Sequence, residues 1–293
     1  MNQNSRFEMI RQAILTNTPI LSDGAMGTLL HARGVDVDQC FDALNLTNPA
    51  QVAAIHKEYI GAGANMIQTN TFGANRYKLS QHGLGDQVVK INAAAVDLAR
   101  RAILATFKDV WIAGDIGPLG VRLAPFGRVQ PEQARQVFAE QIQALVEAGA
   151  DLLIIETMTD VYEVREAVAA ARQVCPQIPV IASMTFTRDD RTLLGDTPAK
   201  VARNLHDAGA DVIGVNCSGG PNQILRILRS MRTAVPEGHF SVMPNAGWPE
   251  QVSGRIMYPA TPEYFHDYAA AFLQAGAQVL GGCCGTTPKH ISI

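Results

Sequence analysis

Four times along the chain an Ala-Gly-Ala turn joins the end of an amphipathic stretch to a short apolar run, in YIGAGANMIQTN, VEAGADLLIIET, HDAGADVIGVNC and LQAGAQVLGGCC. Gly63, Gly149, Gly209 and Gly276 fall where a helix needs a left-handed C-terminal residue, and each following run is short enough for a strand buried on both faces. The phrase therefore predicts parallel strands alternating with helices. Four further apolar runs without the turn, PILSDG, VWIAGDIG, PVIASMTF and FSVMPNAG, bring the strands to eight, near residues 19, 65, 110, 151, 179, 211, 240 and 277. Eight strand and helix units in about 250 residues is the size of a (β/α)8 TIM barrel in the α/β class.

Amphipathic segments such as NPAQVAAIHKEYIGAG, PEQARQVFAEQIQALVEAG and PAKVARNLHDAG fill the intervals, each with Pro near its first turn. No linker or shift in composition divides the chain, so residues 1–293 read as one domain. A doubly wound sheet is the competing fold, but it requires a GxGxxG after the first strand, and LSDGAMGTLL lacks that spacing. The sequence ends at GTTPKHISI, where a barrel still needs its eighth helix, so the last helix reads as truncated or as followed by further C-terminal domains.

Charge excludes several partners. Lys and Arg (24) are scattered and outnumbered by Asp and Glu (27), leaving no basic stripe for nucleic acid. No apolar run reaches the roughly 18 residues of a membrane span, and MNQNSRFEMIRQAILTN is broken by polar residues where a secretory segment needs an apolar core. Five cysteines without a disulfide framework indicate a reducing compartment, so the expected location is cytoplasmic.

Three of those cysteines close apolar strands beside glycine: Cys217 in DVIGVNCSGGP, and Cys283 with Cys284 in VLGGCCGTTP. Cys40 and Cys175 read as small packing residues. Neighbours on a regular strand point to opposite faces, so Cys283 and Cys284 can share one ion only if the strand turns, and Gly281, Gly282 and Gly285 offer the freedom for that. A three-thiolate zinc site with one open position ranks ahead of packing and of a vicinal disulfide, and the absence of any CxxC argues against a closed structural site. In a barrel the C-terminal strand ends form the active face. That face would gather Asp23, Thr69 to Phe72, Asp115, Glu156, Thr185, Asn216, Cys217, Asn245, Cys283 and Cys284. Asp23 and Glu156 are read as binding a substrate ammonium, whereas helix capping and function weigh equally for Asp115.

LSDGAMGT, TNTFGANR, IIET, GVNCSGGP, PNAG and GGCCGTTPKHI occur together and in order, and with them the chain from about residue 15 onward resembles the homocysteine S-methyltransferase family. It looks closest to the homocysteine module of cobalamin-dependent methionine synthase. The resemblance implies a zinc ion held by Cys217, Cys283 and Cys284, with Asn245 as the resting fourth ligand and Asn216 and Gly282 as supporting neighbours. It also implies that Asp23 and Glu156, with backbone near Gly24, Thr71 and Phe72, hold the amino acid end of homocysteine. The implied activity is methyl transfer to homocysteine as a zinc thiolate, a step of methionine biosynthesis. Methyltetrahydrofolate, a methylcobalamin protein or S-methylmethionine would be the methyl donor. The alternative is a non-catalytic homocysteine and zinc module of a larger enzyme, methionine synthase or a methyltransferase joined to methylenetetrahydrofolate reductase.

The chemistry agrees with this reading. A free thiol of pKa near 8.5 is mostly protonated at neutral pH, and only its thiolate is an effective nucleophile. Competing chemistries fit less well. Lys57, Lys78, Lys90, Lys108, Lys200 and Lys289 fall in helices or loops and not at the strand ends that a Schiff-base enzyme uses. The seven histidines show no HxH or HExxH spacing, and His56 reads as a satisfied structural residue. GGCCG as a phosphate-binding nest is a minor option.

Overall fold

Gly63, Gly149, Gly209 and Gly276 adopt φ of 114°, 96°, 88° and 95°, a left-handed region that costs a residue with a Cβ about 1–2 kcal/mol. The computed structural model describes residues 3–16, 18–252 and 255–292. Seven barrel strands come first: β1 (Ile20–Leu21), β2 (Met66–Gln68), β3 (Trp111–Ile116), β4 (Leu152–Met158), β5 (Val180–Met184), β6 (Val212–Cys217) and β7 (Phe240–Pro244). A hairpin of β8 (Glu250–Val252) and β9 (Arg255–Met257) follows, and β10 (Ala277–Leu280) is the eighth barrel strand.

The order β1-β10-β7-β6-β5-β4-β3-β2 is parallel throughout. A bridge between Ser22 and Met66 brings β1 to β2, so the sheet is a nearly closed (β/α)8 barrel. The polar residue after each Ala-Gly-Ala turn fastens its strand to the preceding barrel strand. Asn65 Oδ1 accepts from the Leu21 N–H (2.8 Å), Asp151 Oδ2 from Ile112 (2.8 Å), Asp211 Oδ2 from Val180 (2.7 Å) and Gln278 Oε1 from Phe240 (2.9 Å). Pairs β1–β2, β3–β4, β5–β6 and β7–β10 are thus each pinned at the N-terminal end of the barrel.

Side chains alternate along each strand. Ile20, Met66, Ala113, Leu152, Ile154, Ile181, Val212, Met243 and Val279 form an inner core, while Leu153, Ile155, Ala182 and Val215 join the outer core against the helices. Ile10 and Ile14 of the helix Gln3–Leu15 belong to the inner cluster. Arg6 of the same helix donates to both Asp151 oxygens (2.5 and 3.0 Å), so this helix stops the N-terminal end of the barrel. Beyond β10 the short helix Pro288–Ile291 packs against Pro49–Ala62 and Pro262–Asp267. His56 is fully buried, but it is not the satisfied residue expected: among the described residues neither ring nitrogen has a partner, and burial pulls its pKa down to about 4, keeping it neutral. Among the described residues no helix is long and apolar enough to cross a membrane.

Candidate metal centre and substrate cavity

Extending the inward parity toward the mouth turns the lining polar. Met66 leads to Gln68, Ala113 to Asp115, Leu152 and Ile154 to Glu156, and Val212 to Asn216, two or four residues on. At the end of β6 the chain leaves strand geometry: Cys217 and Ser218 both have left-handed φ, 55° and 53°. That bend lets Asn216 and Cys217, adjacent in sequence, both serve the mouth. The Sγ atoms of Cys217, Cys283 and Cys284 lie within 4.8 Å of one another.

Cys283 and Cys284 reach the same place through a turn, as the sequence requires, but the glycines divide the work differently from expectation. Gly285 alone of the three has a positive φ, 79°. Gly281 and Gly282 serve close approach, because a Cβ on Gly281 would stand 2.8 Å from Ser22 Cβ and one on Gly282 would stand 2.5 Å from Thr286 Oγ1. Backbone bonds fix the segment: Gly282 N–H to Asp23 O (3.0 Å), Cys283 N–H to Pro244 O (2.8 Å) and Thr286 N–H to Cys283 O (3.1 Å).

The donor set fits a soft cation. Tetrahedral zinc with Zn–S near 2.3 Å needs sulfurs roughly 3.8 Å apart, compatible with this cluster. The three sulfurs share charge through mutual hydrogen bonds. Those bonds, from Cys217 first and Cys283 second, hold Cys284 down to about 3 against burial, aided by the Tyr258 hydroxyl. Hydrogen bonding with Cys217 and Cys284, together with burial, pushes Cys283 well up. Cys217 is lowered by Cys283, but Cys284 and burial outweigh that and leave it at about 12. Asn216 Nδ2 approaches Cys283 Sγ (3.7 Å) and also donates to Glu156 Oε2 (2.9 Å), linking the sulfurs to the carboxylates. Asn245 is buried, donates to Ser218 O (3.2 Å) and hydrogen-bonds the Cys217 sulfur, and its Oδ1 has no hydrogen-bond partner among the described residues.

The three cysteines open into a cavity of about 640 Å³ whose walls include Asp23, Gly24, Phe72, Glu156 and Gly282. Asp23 Oδ2 accepts from the Gln68 N–H (2.9 Å) and Oδ1 from Gln68 Nε2 (3.0 Å), yet burial outweighs these bonds and raises its pKa to about 7. Glu156 is pushed to about 8 by burial, then by Cys284 and Asp23. Thr71 stands behind the wall: its hydroxyl donates to Asp115 O (2.7 Å) and its N–H to Thr69 O (2.9 Å). Thr185 likewise faces away from the cavity, its Oγ1 accepting from the Ser218 N–H (2.9 Å).

Asp115, weighed equally between capping and function, lines the cavity; among the described residues its Oδ1 is buried without a partner, and burial plus Glu156, Asp42 and Asp23 raise it well above the ordinary value. Its inward parity with Ala113 decides for the cavity. Other cavity residues escaped the sequence reading. Lys78, on the helix Arg76–Ser80, reaches the cavity with Nζ 4.3 Å from the Phe72 ring centre, and His82 also lines it. Cys40 and Cys175 both pack as expected, Cys40 against the cluster of Ala74, Leu79, Val88 and Ile91 and Cys175 against the outer core, but Cys40 also lines the cavity beside Asp42. Tyr258, directly after β9, brings its hydroxyl to Cys284.

Fold and site together define a (β/α)8 barrel with three clustered cysteines at its mouth, a donor set that could hold a soft metal ion. The profile of the homocysteine S-methyltransferase family matches residues 20–293, and the chain belongs to that family. It is 32% identical over 294 residues to methionine synthase of Mycobacterium tuberculosis and 31% identical over 293 residues to that of Mycobacterium leprae. These matches cover 95% and 94% of the chain but 24% of each synthase, so the chain spans about a quarter of their length. Among solved structures it resembles the metallated form of the homocysteine methyltransferase MmuM from Escherichia coli, at 27% identity and TM-score 0.78, covering 96% of both chains. The oxidised form of that protein matches with TM-score 0.79, covering 96% of this chain and 97% of the other.

Proposed function

We propose that this chain is a zinc-dependent methyltransferase that moves a methyl group to the sulfur of homocysteine, giving methionine. The observation that carries the reading is a three-sulfur cluster opening into a cavity whose near wall holds Asp23 and Glu156. A zinc ion held by Cys217, Cys283 and Cys284 would supply a Lewis acid at which the substrate thiol ionises at neutral pH.

The chain's own residues do the rest. Asp23 and Glu156, protonated when the cavity is empty, give up their protons to pair with the substrate ammonium, while backbone at Gly24 and Phe72 lines the space for its carboxylate. Gln68 holds Asp23 from two sides, and Asn216 ties Glu156 to the sulfur cluster. In the transfer the methyl–donor bond breaks, its electron pair leaving with the donor; the S–CH3 bond forms from a sulfur lone pair, and the thiol proton goes to solvent.

The remaining cavity favours one donor class. Asp23, Asp42, Asp115 and Glu156 face it against the single amine of Lys78. A cationic sulfonium such as S-methylmethionine suits that lining, because a cation gains a partner from each carboxyl that ionises beside it, whereas the carboxylates of methyltetrahydrofolate would gain none there. The test is a homocysteine titration of the cobalt-substituted chain, following the thiolate-to-cobalt charge-transfer band, then single-chain turnover with S-methylmethionine. A spectral change with turnover is expected. No spectral change, or stoichiometric zinc retained by Cys217→Ala, Cys283→Ala and Cys284→Ala alike, would overturn the reading. A spectral change without turnover would favour a homocysteine module that takes its methyl from a partner.

A further inference from the structure

A second cavity, of about 530 Å³, lies just beyond the ends of β6 and β7, a few residues past Cys217 on one side and Asn245 on the other. Arg188, Gln223, Arg226, Trp248 and Tyr264 wall it, and the start of the helix Pro221–Ala234 forms its floor. The metal centre makes no use of it.

Its charges are uneven. Arg226 is neutralised, since Asp190 accepts from its Nε (2.6 Å) and Nη2 (2.9 Å). Arg188 is exposed, sits 4.7 Å over the Trp248 ring centre, and has no carboxylate within ion-pair distance among the described residues. The helix below starts at Gly220 without a side-chain cap and has no acidic residue in its first turn, so its N-terminal partial charge is uncompensated.

Gln223 fixes the wall beneath Arg188 and Trp248. It is only 6% exposed, and its Nε2 is held by Thr187 O (2.8 Å) and Asp190 Oδ1 (2.9 Å). That anchoring turns Oε1 over Gly219 beside Trp248 Nε1, where it is shut off from solvent and has no hydrogen-bond partner among the described residues. A side chain on Gly219 would collide with both atoms, so glycine is what allows them to converge.

We propose that this cavity binds a small organic anion. Arg188 and the helix start hold its carboxylate or phosphate, and Trp248 packs against its organic part. The site stands whether or not the neighbouring centre transfers methyl groups.

The test is titration with inorganic phosphate and, separately, glutarate at constant ionic strength, read by tryptophan fluorescence. A saturable change is expected with at least one of them, and which one responds identifies the anionic group. Arg188→Gln should weaken the response at least about tenfold, the value of one charge-assisted hydrogen bond. Asn222→Asp places a carboxylate at the second helix residue, which favours the helix and so keeps the fold while repelling the anion; it should also weaken binding. No saturable change with either probe, or equal affinity in Arg188→Gln, would overturn the proposal.

Discussion

Asp115 is the side chain whose replacement separates binding from structure most cleanly. Its carboxyl is buried with one oxygen unpartnered and faces three other carboxyls, so in the empty cavity it is a source of repulsion. Asp115→Asn removes the titrating group and keeps the shape. Ligand-free protein at a pH near 8 is expected to melt about 2–4 °C higher, as about 1 kcal/mol of relieved repulsion would give in a chain of this size. Zinc content should not change, since Asp115 is not among the clustered sulfurs and their donors. The KM for a sulfonium donor should rise roughly tenfold, the loss of one buried charge contact. A lower melting temperature with an unchanged donor KM would make Asp115 a structural residue. Asp23→Asn should differ, raising the homocysteine requirement roughly tenfold with donor KM unchanged; zinc loss in that variant would make Asp23 a support of the metal centre.

The Ala-Gly-Ala units explain why the barrel was legible before any coordinates. Each couples a helix stop, a strand start and a polar clamp in a few residues, so a local pattern reports a non-local pairing. Their cost can be measured one at a time. Nothing lies within 4 Å of a Cβ placed on Gly209, so Gly209→Ala tests the left-handed backbone alone and should destabilise by about 1–2 kcal/mol. At Gly276 the Arg232 guanidinium already occupies the Cβ position, so Gly276→Ala should cost more than Gly209→Ala in a denaturant melt. Equal losses would mean the guanidinium moves aside freely. Legibility ends where contacts are set by parity or by loops. Cys217, Cys283 and Cys284 stood out because three thiols at strand ends have few bland explanations. Asp115 was balanced against capping because its inward phase depends on which face Ala113 takes. Lys78 and Tyr258 reach the mouth from a five-residue helix and from the residue directly after a hairpin, whose positions relative to the barrel no local pattern encodes.

For the molecule as a whole, the mouth acts as a proton store, and this gives ligand binding a definite pH signature. Asp23 at about 7 and Glu156 at about 8 are both raised above their ordinary 3.8 and 4.5, mainly by burial. Between those limits the empty native protein holds protons that the unfolded chain has released. Stability from these groups is therefore complete below a pH of about 4 and is lost as pH rises through about 7 to 8. An ammonium ion in the cavity reverses the balance, because the charged carboxylates gain a partner and their pKa values fall. Binding should then release protons near pH 7, and the thermal shift given by an amino acid ligand should grow with pH while the ligand-free melting temperature declines. Methionine is the probe that isolates this effect, since it carries the ammonium and carboxylate of homocysteine but no thiol proton. Calorimetry in two buffers of different ionisation enthalpy measures the release. With methionine it is expected to fall sharply in the Asp23→Asn, Glu156→Gln double variant, while zinc remains bound. Proton uptake in place of release would mean that the ammonium is received elsewhere and that the two carboxyls stay protonated in the complex.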